Sequence, residues 1–183
     1  MAYKIKSQES LMNMAVFYCS KRETSRVWLG KYLQRKCKEQ KIDESNYREW
    51  IKAVLDTCEE KKIVDDLRYA EMLIREYTRR GKGKRYIEQK LKAKGIHKDT
   101  LEVPNDENAE LLRASALAKK IIGSLKSKVS RKAKRKASKP QTNKYQRPTN
   151  ETFELKQKML QKLISSGFSI DLSRKAVDLA LAE

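Results

Sequence analysis

Two stretches of this chain, seventy-two residues apart, carry the same punctuation: Gln89-Lys90-Leu91, Gly95-Ile96 and Asp99 recur as Gln161-Lys162-Leu163, Gly167-Phe168 and Asp171. In each, an amphipathic helix ends on a glycine, a hydrophobic residue follows, and an acid opens the next helix. Turn residues coincide along with stripe residues, which a chance likeness between two amphipathic helices does not require. A looser copy lies upstream, where Lys31-Tyr32-Leu33 corresponds and Cys37 stands in place of the glycine. Repetition of this kind constrains the fold strongly. Each unit is too small to bury its own apolar face, so units must stack and share a thin core.

Apolar periodicity fills in the helices between these marks. Leu11, Met14, Ala15, Tyr18 and Cys19 share one face of a helix over about 10–22. Thr24 and Ser25 supply cap chemistry for a second, with Trp28, Leu29, Tyr32, Leu33 and Cys37 on its stripe. Asp43 and Ser45 start a third, carrying Tyr47, Ile51, Val54, Leu55 and Cys58. Asp65 and Asp66 open a fourth, whose stripe is Leu67, Ala70, Leu73, Ile74 and Tyr77. A fifth bears Tyr86, Ile87 and Leu91, and a short sixth is expected near 98–103, before Pro104. Asn105 or Asp106 caps a seventh through Leu111, Leu112, Leu117, Ala118, Ile121 and Ile122, ending near Leu125. Phe153, Met159, Leu160, Leu163 and Ile164 mark an eighth; Leu172, Ala176, Val177 and Leu181 mark a ninth. The expectation is an all-α protein of three tandem three-helix repeats, forming an elongated curved solenoid. The repeats occupy 1–62, 63–104 and 105–183. The last is interrupted at about 126–149 by a basic, low-complexity, flexible segment before the final two helices.

Charge is distributed unevenly. The chain of 183 residues has a formal net charge of +19. Between Leu111 and Asn150 there is no Asp or Glu, and thirteen Lys and Arg lie there, leaving +6 for the remainder. The segment from Lys126 through Lys128, Arg131, Lys132, Lys134, Arg135, Lys136 and Lys139 is poor in apolar residues, and Pro140 and Pro148 follow. Like charges repel and little surface can be buried, so the segment is expected to be disordered in isolation. A second concentration comprises Arg75, Arg79, Arg80, Lys82, Lys84, Arg85, Lys90, Lys92 and Lys94, around the turn RRGKGKR. Its glycines are expected to let a partner approach the backbone closely. Such an excess predicts a polyanionic partner: nucleic acid, an acidic protein surface or a membrane face.

The residues point away from catalysis. His97 is the only histidine and follows a glycine stop, as a solvated turn residue would. Gly81-Lys82-Gly83-Lys84 lacks the Lys-Ser/Thr ending of a phosphate-cradling loop. Adjacent Asp65 and Asp66 point in different directions on a helix, so capping explains them better than acid–base work or a metal. Cys19, Cys37 and Cys58 are an odd number without CxxC spacing, so free core thiols are expected rather than disulfides or zinc. No cofactor is expected. The N-terminus lacks the apolar run of a signal peptide, and no stretch reaches the roughly 20 apolar residues of a membrane span. A cytoplasmic protein is expected.

The segment Ile63-Val64-Asp65-Asp66-Leu67-Arg68-Tyr69-Ala70, followed by Arg75, Gly81-Lys82-Gly83, Ile87, Leu91 and Lys94-Gly95-Ile96, resembles the central signature of the RecX regulatory proteins. Ala15 to Leu33, with Arg22 and Thr24, resembles that family's first repeat, and Leu160 to Ile170 its closing repeat. The basic segment is longer and more charged than the family's usual linker. The resemblance implies a non-enzymatic, monomeric regulator of DNA repair, recombination and the SOS response. It would lodge on the RecA recombinase filament on single- or double-stranded DNA and inhibit recombination, ATP hydrolysis and stimulation of repressor cleavage. Asp65, Asp66, Tyr69, Ala70, Gly83, Leu91 and Gly95 form the structural signature. The cations from Arg75 to Lys94 are the candidate contacts with RecA or DNA. The alternative reading is a general nucleic-acid-binding protein that acts through its basic arm.

Overall fold

Short polar side chains start most of the helices, because the first N–H groups of a helix have no partner within it. The computed structural model describes residues 4–97, 103–104, 106–136 and 151–182. Eight helices are present among the described residues, and no strand: α1 (Gln8–Lys21), α2 (Arg26–Glu39), α3 (Glu44–Glu60), α4 (Asp66–Arg79), α5 (Lys84–Ala93), α6 (Glu107–Lys136), α7 (Glu151–Ser165) and α8 (Ile170–Ala182). Ser7 and Ser10 form a reciprocal capping box at α1. Ser25 accepts from Trp28 N at α2, and Asp43 from Ser45 N at α3. Asp65 accepts from Arg68 N at α4, Asp106 from Ala109 N at α6 and Ser169 from Leu172 N at α8.

Helix ends follow one pattern. Backbone φ is positive at Lys41, Lys62, Gly81, Gly95 and Gly167, directly after α2, α3, α4, α5 and α7. In all five the next N–H reaches back to a carbonyl five residues earlier: Ile42 to Cys37, Ile63 to Cys58, Lys82 to Tyr77, Ile96 to Leu91 and Phe168 to Leu163. This is the Schellman closure. It corrects the expectation for the first repeat. Cys37 does not replace the glycine; it is fully buried in α2, which runs one further turn and stops at Lys41.

Two further differences concern α6 and its neighbours. The helix does not end near Leu125 but continues to Lys136. That stretch has no proline or glycine and is rich in Lys and Arg, both good helix formers; Pro140 is the first breaker after it. The expected short helix near 98–103 falls largely on 98–102, outside the described residues, and so does 137–150, which includes Lys139.

The described helices gather into two compact units, one comprising residues 1–76 and 88–102 and the other 77–87 and 103–183, so that α4 and α5 each contribute to both. The first has a core of Leu11, Met14, Ala15, Leu29, Leu33, Cys37, Tyr47, Val54, Cys58 and Val64. On its surface Tyr18 of α1 stacks on Tyr32 of α2 with ring centroids 4.0 Å apart, and Arg22 and Arg35 lie over the two rings. The second unit buries Ala114, Ala118, Met159, Leu163, Phe168, Ala176 and Val177. Six expected stripe residues are instead exposed: Trp28, Leu67, Leu112, Phe153, Ile164 and Leu181. All three cysteines are free; Cys37 and Cys58 are buried and Cys19 half-buried. No described helix is long and apolar enough to cross a membrane.

Candidate functional site

The turn between α4 and α5 is built by its glycines, but for internal reasons. Gly81 has φ +69° and open space around it, so only its backbone conformation calls for glycine. Gly83 is different. Its N–H donates to Ser166 O at 2.9 Å, and a Cβ there would stand 2.5 Å from the backbone of Gly167. Arg85 N likewise donates to Gly167 O at 3.2 Å. The close approach at Gly83 is therefore to the end of α7, which corrects the expectation that this glycine admits an outside partner.

This docking has a counterpart in the first unit. There the end of α5 sits on the start of α2: Ser25 Oγ donates to Lys94 O at 2.5 Å and Trp28 Nε1 to Ala93 O at 3.2 Å. A Cβ on Gly95 would lie 2.5 Å from Val27 Cβ. In both units, then, a glycine stop abuts the start of another helix; its carbonyls accept from the Ser25 and Trp28 side chains in the first and from the backbone N–H groups of Gly83 and Arg85 in the second. A carboxylate completes each joint. Asp66 Oδ1 accepts from Arg26 N at 2.8 Å, and Glu110 Oε1 accepts from Lys84 N at 2.8 Å. Burial pushes the Asp66 carboxyl up, reinforced by Glu59 and Asp65, while the Arg26 N–H and guanidinium pull it down. The Arg26 guanidinium is itself held by Asp56 and Glu59.

On this frame the candidate cations separate. Arg79, Arg80, Lys82, Lys84 and Arg85 lie in the second unit; Arg75, Lys90 and Lys94 lie in the first. Tyr77 and Tyr86 meet edge to face at 5.5 Å, with Arg80 5.9 Å from the Tyr77 ring centre and Lys82 4.7 Å from that of Tyr86. The rings thus hold two cations in place at the turn, and Arg79 and Arg85 stand exposed beside them in sequence. Lys84 and Arg85 also line a hollow of ≈ 400 Å³ with Glu107, Glu110, Asp171 and Lys175, so their charge is partly answered locally. In the first unit Arg75 is exposed, Lys90 is half-buried, and Lys94 Nζ lies 3.9 Å from the centre of the Trp28 ring. Tyr69, Ala70 and Leu91 of the signature are buried core residues. Asp65 caps its own helix and Asp66 another one. Sequence reasoning missed the roles of Trp28, Tyr77, Tyr86 and Glu110. Nothing local marks Trp28 and Glu110, because each acts on a residue of another element, whereas Tyr77 and Tyr86 lie three and four residues from the cations they hold.

His97 is exposed, and among the described residues no group of three His, Cys, Asp or Glu could hold a metal. What the geometry defines is a helical-repeat protein with a tyrosine-anchored basic turn. Residues 65–102 match the family model described as RecX, second three-helix domain. A stretch of 72 residues, 37% of this chain, is 40% identical to the regulatory protein RecX of Shewanella oneidensis, and spans 57% of that protein's length. The crystal structure of RecX from Lactobacillus salivarius superposes with a TM-score of 0.67 over 96% of this chain and 97% of that one, at 19% identity. A second crystal structure, of a regulatory protein RecX, gives 0.62 over 96% and 72%, at 22% identity. The fold is the all-α helical repeat of those two crystal structures, and the second repeat carries the match to the RecX family model.

Proposed function

We propose that this protein is a non-enzymatic, monomeric, cytoplasmic regulator that binds the RecA–DNA filament and restrains its recombinase, ATPase and coprotease activities. The observation that carries this reading is the basic turn of the second repeat: Arg80 and Lys82 held on the Tyr77–Tyr86 pair, flanked by exposed Arg79 and Arg85. The turn lies inside the segment that matches the RecX family model. Cations held by ring faces lose less side-chain entropy on docking than free lysines or arginines do. A recombinase filament on DNA offers phosphates and acidic protein surface close together, which suits such a turn. Regulation follows from occupancy of the filament and needs no bond to be made or broken.

Reversing Arg79, Arg80 and Arg85 to Glu is expected to abolish inhibition of RecA ATP hydrolysis on single-stranded DNA, with the helical circular-dichroism signal intact. Undiminished inhibition by the folded triple variant would remove this surface from the mechanism. The variant leaves Lys82, both tyrosines and both glycines in place, so of the turn's internal contacts it removes only that of Arg80 with the Tyr77 ring.

A further inference from the structure

A second basic surface lies between α6 and α7, away from the turn in sequence. The two helices share a core side built on Ala114, Ala118, Met159 and Leu163. Their outer sides bound an open groove of ≈ 630 Å³. Lys120, Lys158 and Lys162 line it together with the neutral polar residues Ser124, Gln161 and Ser165, and no carboxylate is among the described residues that line it. All three lysines are exposed. The acid facing them is Glu154, which pairs with Lys158 at 3.3 Å on the open surface, a contact that water largely screens. Lys158 and Lys162 stand one turn apart along α7, about 6 Å in rise. Beyond the groove α6 continues to Lys136 through sequence that contains no acid.

Four features narrow the ligand. The charge is drawn out along two helices instead of converging on a point, which fits a linear polyanion better than a small anion. Among the described residues Ile121 is the one apolar side chain lining the groove, so they offer no apolar face to sink into a lipid boundary. No aromatic side chain is among them either, so they offer no platform on which unpaired bases could stack. Lysines act as point charges that impose no fixed geometry on the anion, which suits a backbone held without reading of sequence. We infer that the α6–α7 groove is a track for the sugar–phosphate backbone of a nucleic-acid duplex, held by Lys120, Lys158 and Lys162 without reading of sequence. This adds a DNA contact to the proposed function, but its assay contains no recombinase. Failure of one reading therefore leaves the other testable.

The experiment uses the full chain and fluorescence anisotropy with labelled 20-base-pair duplexes of two unrelated sequences. The variants are Lys120→Glu, Lys158→Glu and Lys162→Glu combined, and, as a control of equal charge change, Lys4→Glu, Lys31→Glu and Lys52→Glu combined. The groove variant is expected to bind both duplexes about tenfold more weakly, and its slope of log affinity against log salt should be shallower by about 2.7, close to 0.9 per lost phosphate contact. The control should keep the parental slope. Equal losses in the two variants would reduce the effect to net charge and overturn the assignment. Displacement of the duplex by poly-glutamate as readily as by unlabelled duplex of equal charge would assign the groove to an acidic protein surface. Tighter binding of oligo-thymidine than of duplex would overturn the duplex reading. Circular dichroism reports whether the Glu variant folds; the Lys→Gln triple, which keeps side-chain bulk, should flatten the salt slope by the same amount.

Discussion

Asp66 and Glu110 perform the same task in different repeats, giving a carboxylate to the first N–H of a helix that belongs to another unit of the repeat. At Asp66 the acceptor is needed, but its full charge is held against desolvation. The folded protein therefore binds that proton more tightly than the unfolded chain does, and stability attributable to this carboxyl falls as pH rises above its ordinary value of 3.8. Asparagine retains an acceptor oxygen and carries no charge. Asp66→Asn is expected to be at least as stable as the parent at pH 7, with that advantage fading toward pH 3. Asp66→Ala, which leaves Arg26 N without its partner, should lose ~1 kcal/mol at neutral pH. Urea unfolding of both variants at the two pH values checks this, and an Asn variant less stable than Ala would contradict it. The thiols are the opposite kind of residue, free and wholly or half buried. Burial foremost, with the charges of Cys58 and Glu23 behind it, pushes Cys19 up to about 11. Slow alkylation of the native protein by iodoacetamide at pH 8, and fast alkylation in guanidinium, is the expected outcome, because the thiolate is the nucleophile.

Among the elements, the five Schellman stops separate what the backbone needs from what packing needs. Lysine occupies the left-handed position at residues 41 and 62, so that conformation alone does not demand glycine. Glycine is obligatory where another element arrives. A Cβ on Gly95 meets Val27, and one on Gly167 meets the backbone of Tyr86, whereas one on Gly81 meets nothing within 4 Å. Gly81→Ala should therefore lose only the conformational term, roughly 1 kcal/mol. Gly95→Ala should lose more, since the Val27 side chain has to shift, and Gly167→Ala most, since backbone cannot yield. Thermal melts of the three variants test that order, and equal losses would mean the joints are looser than their geometry. The glycine pair seventy-two residues apart is thus visible in the sequence as repetition. Its cause, two docked helix ends, is not.

For the molecule as a whole, two cores share the stabilisation. Trp28 and Trp50 both belong to the first unit, so tryptophan fluorescence reports that unit while circular dichroism reports all helices. Leu163, fully buried in the second core, is expected to lose about 3 kcal/mol on truncation to Ala. Its unfolding midpoint should move further by circular dichroism than by fluorescence, and Leu33→Ala should show the reverse bias. Coincident shifts would mean that the chain unfolds as one cooperative body. The all-helical class, most helix starts, the glycine stops, the free thiols and the likeness of the second repeat to RecX were legible from the chain alone, because periodicity, caps and turn residues act within a few residues of one another. Tertiary structure alone decided the rest. It turned Gly83 inward onto α7, gave Asp66 and Glu110 distant helices to cap, and gathered three lysines from α6 and α7 into one groove. Each of these joins residues far apart in sequence, and which side chains meet across such a distance depends on how the helices pack rather than on any local propensity.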